Sequence, residues 1–147
     1  MDFKNLGVIL GLFLFFDTLY LSIYTVVRTK NLKNVFNYGD GMKLLMNLIT
    51  KIQGKPGKLR VMPIFLLYII NTLVINYFII EKAIEENKTE FEASIEAFIL
   101  GFAIYIIFGL SVYSMFDNWP IIHVIFDSLW GGITFSAITF VILKYIN

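Results

Sequence analysis

The chain has 147 residues, 58% hydrophobic, 17% aromatic and 16% charged, with a net charge of +1 and a mean hydropathy of +0.75. Soluble domains run nearer about 45–50% apolar and ~25% charged, so an ordinary soluble enzyme and a nucleic-acid reader are both disfavoured. There are no cysteines, which excludes disulfides, thiolate metal sites and a Cys nucleophile.

The apolar excess falls in four blocks of about 20 residues, each long enough to cross a hydrocarbon core of ~30 Å. Four such spans use ~80 residues and leave too little for a separate soluble domain, so one integral membrane domain is expected over 1–147. Lipid demands an internally satisfied backbone, and continuous apolar runs of this length satisfy it as helices. The predicted fold class is all-α, a polytopic four-helix bundle.

The first span is predicted over residues 6–27. It is too long for a typical signal-peptide core and no A-x-A-like site follows it, so it is expected to be retained. Gly7 and Gly11 form a G-x-x-x-G spacing, which lets another helix approach closely. The basic loop at 28–60 carries eight Lys and Arg residues against one acid, Asp40. Within it, Asp40 is expected to cap a helix from Gly41 to Gln53, ended by Gly54 with Pro56 just beyond. Met42, Leu45, Met46, Ile49 and Ile52 share one face of that helix, and Lys43, Asn47, Thr50 and Lys51 the other. Such an amphipathic helix lies in the membrane interface, with Lys43, Lys51, Lys55, Lys58 and Arg60 against anionic headgroups, or packs on the cytosolic mouth of the bundle.

The second span is predicted over 61–80, entered through Pro63, with Asn71 and Asn76 able to bridge helices. An acidic loop follows at 81–94, and between Glu81 and Glu96 there are six Glu against Lys82 and Lys88. The positive-inside bias therefore places the basic loop in the cytosol and both termini outside or in the lumen. Asn87-Lys88-Thr89 matches a glycosylation sequon, but a solvated acidic turn between two membrane boundaries is the favoured reading. The third and fourth spans, over 95–116 and 121–143, are joined by Asp117-Asn118-Trp119-Pro120, short enough to force an antiparallel hairpin. Gly101 and Gly109 open a groove on the third span; Ser128, Gly132 and Ser136 recur at spacing four on the last, beside Gly131. Trp119, Tyr113, Tyr20 and Tyr24 are expected at interfaces or as pocket walls.

Two acids stand inside spans, where a charge costs about 2.5–3.5 kcal/mol on insertion scales. Asp17 begins Asp-Thr-Leu-Tyr and Asp127 begins Asp-Ser-Leu-Trp, each an acid, a hydroxyl and, one turn on, an aromatic. At 1.5 Å per residue they lie about 15 Å and about 10 Å from the same membrane face, an offset that helix tilt absorbs. His123 is one turn before Asp127 on the same face, so a single pocket is expected to hold Asp17, Asp127 and His123, with Tyr20 and Trp130 beside them. The functional reading is a proton or cation site, or an acid–base pair acting on lipid. The structural reading is a protonated Asp, hydrogen-bonded to Tyr20, Tyr24 or Trp130, that clamps helices together. One His and no Cys make a transition-metal site unfavourable, and no catalytic motif or cofactor is implied.

Asp17-Thr-Leu-Tyr-Leu21, Asn118-Trp119-Pro120 and Asp127-Ser-Leu-Trp-Gly-Gly132 together resemble the four-span membrane proteins of the domain-of-unknown-function 2177 family. The resemblance covers all four spans and implies bacterial or large-DNA-virus relatives without an assigned biochemical activity. Where the family often has Tyr-Asp late in the third span, Phe108-Gly109 stands here. The expected role is a small non-enzymatic membrane protein that organises a membrane or docks a partner, such as a capsid, another membrane protein or a second copy, in the internal membrane of a virion. The alternatives are a proton or cation pathway through Asp17 and Asp127, and a membrane-embedded enzyme or accessory factor of lipid metabolism.

Overall fold

A computed structural model describes residues 3–29, 38–54 and 61–146. These residues are almost all helical, and no strand occurs among them. The helices are α1 (Phe3–Thr29), α2 (Tyr38–Gln53), α3 (Val61–Ile75), a π-helical segment (Asn76–Glu81), α4 (Lys82–Glu85), α5 (Glu90–Met115) and α6 (Ile121–Tyr145). Four stretches are long and apolar enough to cross a membrane: Asn5–Tyr24, Val61–Glu85, Glu90–Met115 and Ile121–Tyr145. The molecule is therefore an all-α, four-span membrane protein.

The helices overrun the apolar blocks where local chemistry favours it. The second spanning helix continues past Ile80 to Glu85, and the turn that follows places Asn87 at φ 50°, in the left-handed region that asparagine tolerates. Then α5 starts at Glu90, ahead of the apolar run, because Thr89 and Glu92 make a capping box. Thr89 Oγ1 accepts from the Glu92 amide at 3.3 Å, and Glu92 Oε2 accepts from the Thr89 amide at 3.0 Å. Glu90 and Glu92 also place negative charge at the positive end of the helix.

The chain forms two compact units, Met1–Phe13 with Met62–Asn147, and Leu14–Val61. In the first, α5 and α6 form an antiparallel hairpin across Asp117–Pro120, where the Trp119 amide donates to the Phe116 carbonyl at 3.0 Å. Lipid tails are as apolar as leucine, so helices gain contact in a bilayer mainly through close packing. Small residues supply it here. A Cβ at Gly101 would stand 2.6 Å from the Gly131 carbonyl oxygen, one at Gly109 would stand 2.6 Å from Val124 Cγ1, and one at Gly132 would stand 3.0 Å from the Phe98 carbonyl oxygen. Gly131 accepts the ring of Tyr105 in the same way. Around these contacts Ala93, Ala97, Val124, Phe135, Ile138 and Ile142 are buried, and Phe13 meets Phe135 edge-on at 5.3 Å.

In the second unit, α2 spans Tyr38–Gln53, so Asp40 lies within the helix and not ahead of it as expected. Its far end is as the sequence predicts: Gly54 has φ 70° and its amide donates to the Thr50 carbonyl at 2.9 Å, a left-handed cap. Lys43, Asn47 and Lys51 are exposed, whereas Met46, Ile49 and Ile52 are half-buried. Pro56, Lys55, Lys58 and Arg60 lie outside the described residues.

Candidate functional site

Polar side chains within the spans are the natural place to look for function, because each must justify its desolvation. Asp127 is half-buried on α6, and His123, one turn earlier, is half-buried on the same face. Thr134 continues that face seven residues on. Trp130 is half-buried one residue before the tight Gly131–Gly132 contact, and Tyr105 lies over Gly131 from α5. Within the first unit, then, His123, Asp127 and Trp130 lie in the early half of α6, and Tyr105 of α5 packs over Gly131.

Asp17 is half-buried on α1, as are Tyr20 and Tyr24, but this part of α1 belongs to the second unit. Asp17 thus belongs to the second unit and Asp127 to the first.

The hydroxyls beside the two acids behave alike. Thr18 Oγ1 donates to the Leu14 carbonyl at 2.8 Å, and Ser128 Oγ to the Val124 carbonyl at 2.6 Å. Each is tied to its own helix four residues back. The same arrangement recurs at Ser22, Thr50, Ser94 and Ser111. By contrast, the hydroxyls of Thr72, Thr134 and Thr139 are buried with no hydrogen-bond partner among the described residues.

The residues expected to pack helices divide into two groups. Gly131 and Gly132 lie in the α5–α6 contact, while Ser128 is buried and Ser136 half-buried on α6. Gly7 and Gly11 face open space: no described atom lies within 4 Å of a Cβ built at either. Gly7 instead lines an apolar cleft of about 210 Å³ with Leu6, Leu10, Ile69, Thr72 and Leu73. Asn76 turns to its own helix among the described residues: its Nδ2 donates to Glu81 Oε1 at 3.1 Å.

In the acidic loop, Lys88 pairs with Glu86 at 2.8 Å and with Glu96. The hydrogen bond to Lys88 holds the Glu86 carboxyl below its ordinary range, and the two carboxylates hold the Lys88 ammonium above its own. The sequon threonine, Thr89, is already engaged in the capping box of α5. No group of three or more metal-ligating side chains occurs among the described residues.

Four apolar helices, the tight hairpin and its Asp127-Ser-Leu-Trp-Gly-Gly132 block set the frame for comparison. The chain matches a family described as predicted membrane protein (DUF2177) over residues 6–143. It belongs to that family. The match takes in all four spans, so this is a DUF2177 protein along essentially its whole length. No curated protein and no solved structure matches the chain.

Within this DUF2177 chain, Gly109 has a structural role at the place where the sequence departs from the expected Tyr-Asp. A Cβ there would stand 2.6 Å from Val124 Cγ1, so a carboxylate at this position would require Val124 to shift. The exposed side chain of Phe108 turns away from the contact.

Proposed function

We propose that this DUF2177 protein is a non-enzymatic membrane organiser whose basic loop holds anionic lipid headgroups through α2. The observation that carries the reading is the division of α2: Lys43, Asn47 and Lys51 are exposed while Met46, Ile49 and Ile52 are half-buried, in a loop with eight basic residues and one acid. An interfacial helix of this kind sinks its apolar side at the headgroup boundary and gains about 1 kcal/mol per basic residue near an anionic leaflet. The serine and threonine hydroxyls that donate within their own helices also support a structural role over a nucleophilic one. The internal membrane of a virion is the setting that agrees with the sequence resemblance.

The test uses full-length protein in mixed phosphatidylcholine–phosphatidylserine vesicles, with a fluorophore on a single cysteine at Ile49. Headgroup-labelled phosphatidylserine should quench it more than labelled phosphatidylcholine, and high salt should remove the preference. Reversing Lys43, Lys51 and Lys55 to Glu should weaken the preference on the order of a hundredfold. Equal quenching by both lipids, unmoved by salt or charge reversal, overturns the reading. Loss of quenching only when an acidic protein is added would instead identify a protein as the ligand of the loop.

A second reading has its own observation. His123 and Asp127, the charged or imidazole side chains of the segment 121–143, stand one turn apart and both half-buried, with Thr134 farther along the same face. We infer from this a protonatable site on α6 as the alternative role, separated from the first by the flux experiment described below.

A further inference from the structure

The second spanning helix changes register inside the membrane. Residues Asn76–Glu81 are π-helical, with α-helix on both sides. A π turn closes between residues i and i+5, one residue later than an α turn, and such insertions cluster at functional positions. Asn76 is 3% exposed and its Nδ2 donates to Glu81 Oε1 at 3.1 Å, across that five-residue interval. In an α-helix, at about 100° per residue, side chains five apart sit about 140° apart around the axis and turn away from each other. The hydrogen bond is therefore specific to the π form.

The turn also aligns the two halves of the span. Asn71, Thr72 and Ile75 are buried before it, Ile79, Ile80 and Ala83 after it, while Tyr77, Phe78 and Ile84 are exposed. The π segment touches both α5 and α6, so its register sets how the helix meets the hairpin. Asn71 and Thr72 are polar groups on the buried side, and Glu81 opens the acidic loop at the end of the segment.

We propose that the Asn76–Glu81 pair is a register lock, coupling a carboxylate at the membrane boundary to the rotational setting of the second span. With the pair closed, the extra residue stays in the π turn and the faces before and after it coincide. With the pair broken, the helix relaxes to α form. The two halves then rotate by about one residue, or 100°, relative to each other. That rotation moves Asn71 and Thr72 relative to Ile79 and Ile80, and changes which side chains meet the hairpin.

The absence of native cysteines permits single-site spin labelling of the full chain in phosphatidylcholine vesicles. Oxygen accessibility is read at Ile70, Leu73, Phe78 and Ile84, expected high, and at Ile75 and Ile79, expected low. The wild type should show a one-residue lag in the helical period across 76–81. Asn76→Leu and Glu81→Leu should remove the lag and shift the pattern on one side of the turn by one residue. Glu81→Gln keeps an acceptor oxygen and should retain the wild-type pattern. An unbroken α period in the wild type overturns the proposal without any variant. So does a lag that persists in the folded Leu variants, or a Gln variant that behaves like Leu. Should Asn76→Leu not fold, Glu81→Leu, at a half-buried position, carries the comparison.

Discussion

Gly101 and Gly131 set the separation of α5 and α6: a Cβ on Gly101 would stand 2.6 Å from the Gly131 carbonyl oxygen and 2.8 Å from the ring carbon of Phe135. Backbone oxygen cannot move aside as a side-chain tip can. Gly101→Ala should therefore force the hairpin apart and cost about 1–3 kcal/mol, and Gly131→Ala a similar amount against Tyr105. Gly7→Ala meets no described atom within 4 Å, so it should be neutral or gain up to about 1 kcal/mol of helix propensity. Thermal unfolding of the three variants in one detergent checks the contrast, and a Gly7 variant as damaged as the Gly101 variant would contradict it.

Thr89 and Glu92 start α5 through a reciprocal capping box. Thr89→Ala should cost about 1 kcal/mol, whereas Glu92→Gln, which can still accept from the Thr89 amide, should cost much less. Hydrogen exchange of the amides at residues 90–93 is the sensitive readout. Faster exchange is expected in the Ala variant alone.

The buried hydroxyls of Thr134 and Thr139 make no hydrogen bond among the described residues. Replacing an unsatisfied buried hydroxyl by a methyl group of similar size removes a desolvation penalty and no contact. Thr134→Val and Thr139→Val should thus match wild-type stability within about 0.5 kcal/mol or exceed it. A loss above about 1 kcal/mol would mean that these hydroxyls have a partner in the assembled membrane.

Asp17 and Asp127 separate the two functional readings. If each serves only to hold helices, Asn keeps a donor and an acceptor in the same shape, and Asp→Asn should stay near wild-type stability. Asp→Leu should then lose about 0.5–2 kcal/mol, the range of interhelical hydrogen bonds in membranes. A proton or cation pathway predicts intact folding but no flux in the Asn variants, because an amide does not titrate. Proton and cation flux in proteoliposomes, run beside thermal stability, decides the matter. The expected outcome is no wild-type flux and stable Asn variants.

The eight basic residues at 28–60 and the six Glu between Glu81 and Glu96 should lie on opposite sides of the bilayer, with the basic loop cytosolic. Single cysteines at Asn37 and Asn87 should label from opposite faces of sealed vesicles. Same-side labelling would refute that topology and remove the cytosolic headgroups from reach of α2.

Much of this is legible in the sequence. Length and hydropathy are one-dimensional quantities, and hydrocarbon thickness converts them directly into span number. The link at Asp117–Pro120 is too short for anything but a hairpin, and Gly54 marks the end of α2 because few other residues accept a positive φ. Other features depended on neighbours that are distant in sequence. Gly7-x-x-x-Gly11 and the glycines of α5 and α6 look alike as letters, yet among the described residues only the second set has neighbours within 4 Å of an added Cβ, since close contact depends on how each helix is rotated and how near it approaches. Asn76 read as a bridge between helices, because an α period gives no hint of an inserted residue; the π turn brings it to Glu81 instead. Thr18 and Ser128 stand beside the acids in the sequence, but the nearest acceptor for a helical hydroxyl is the second lone pair of the carbonyl four residues back, at 2.8 Å and 2.6 Å. Sequence by itself determined the number of spans, their class and their charge asymmetry, because the bilayer reads composition. Tertiary structure decided which small and polar residues touch what, because that is set by rotation about each helix axis, and one inserted residue changes it by about 100°.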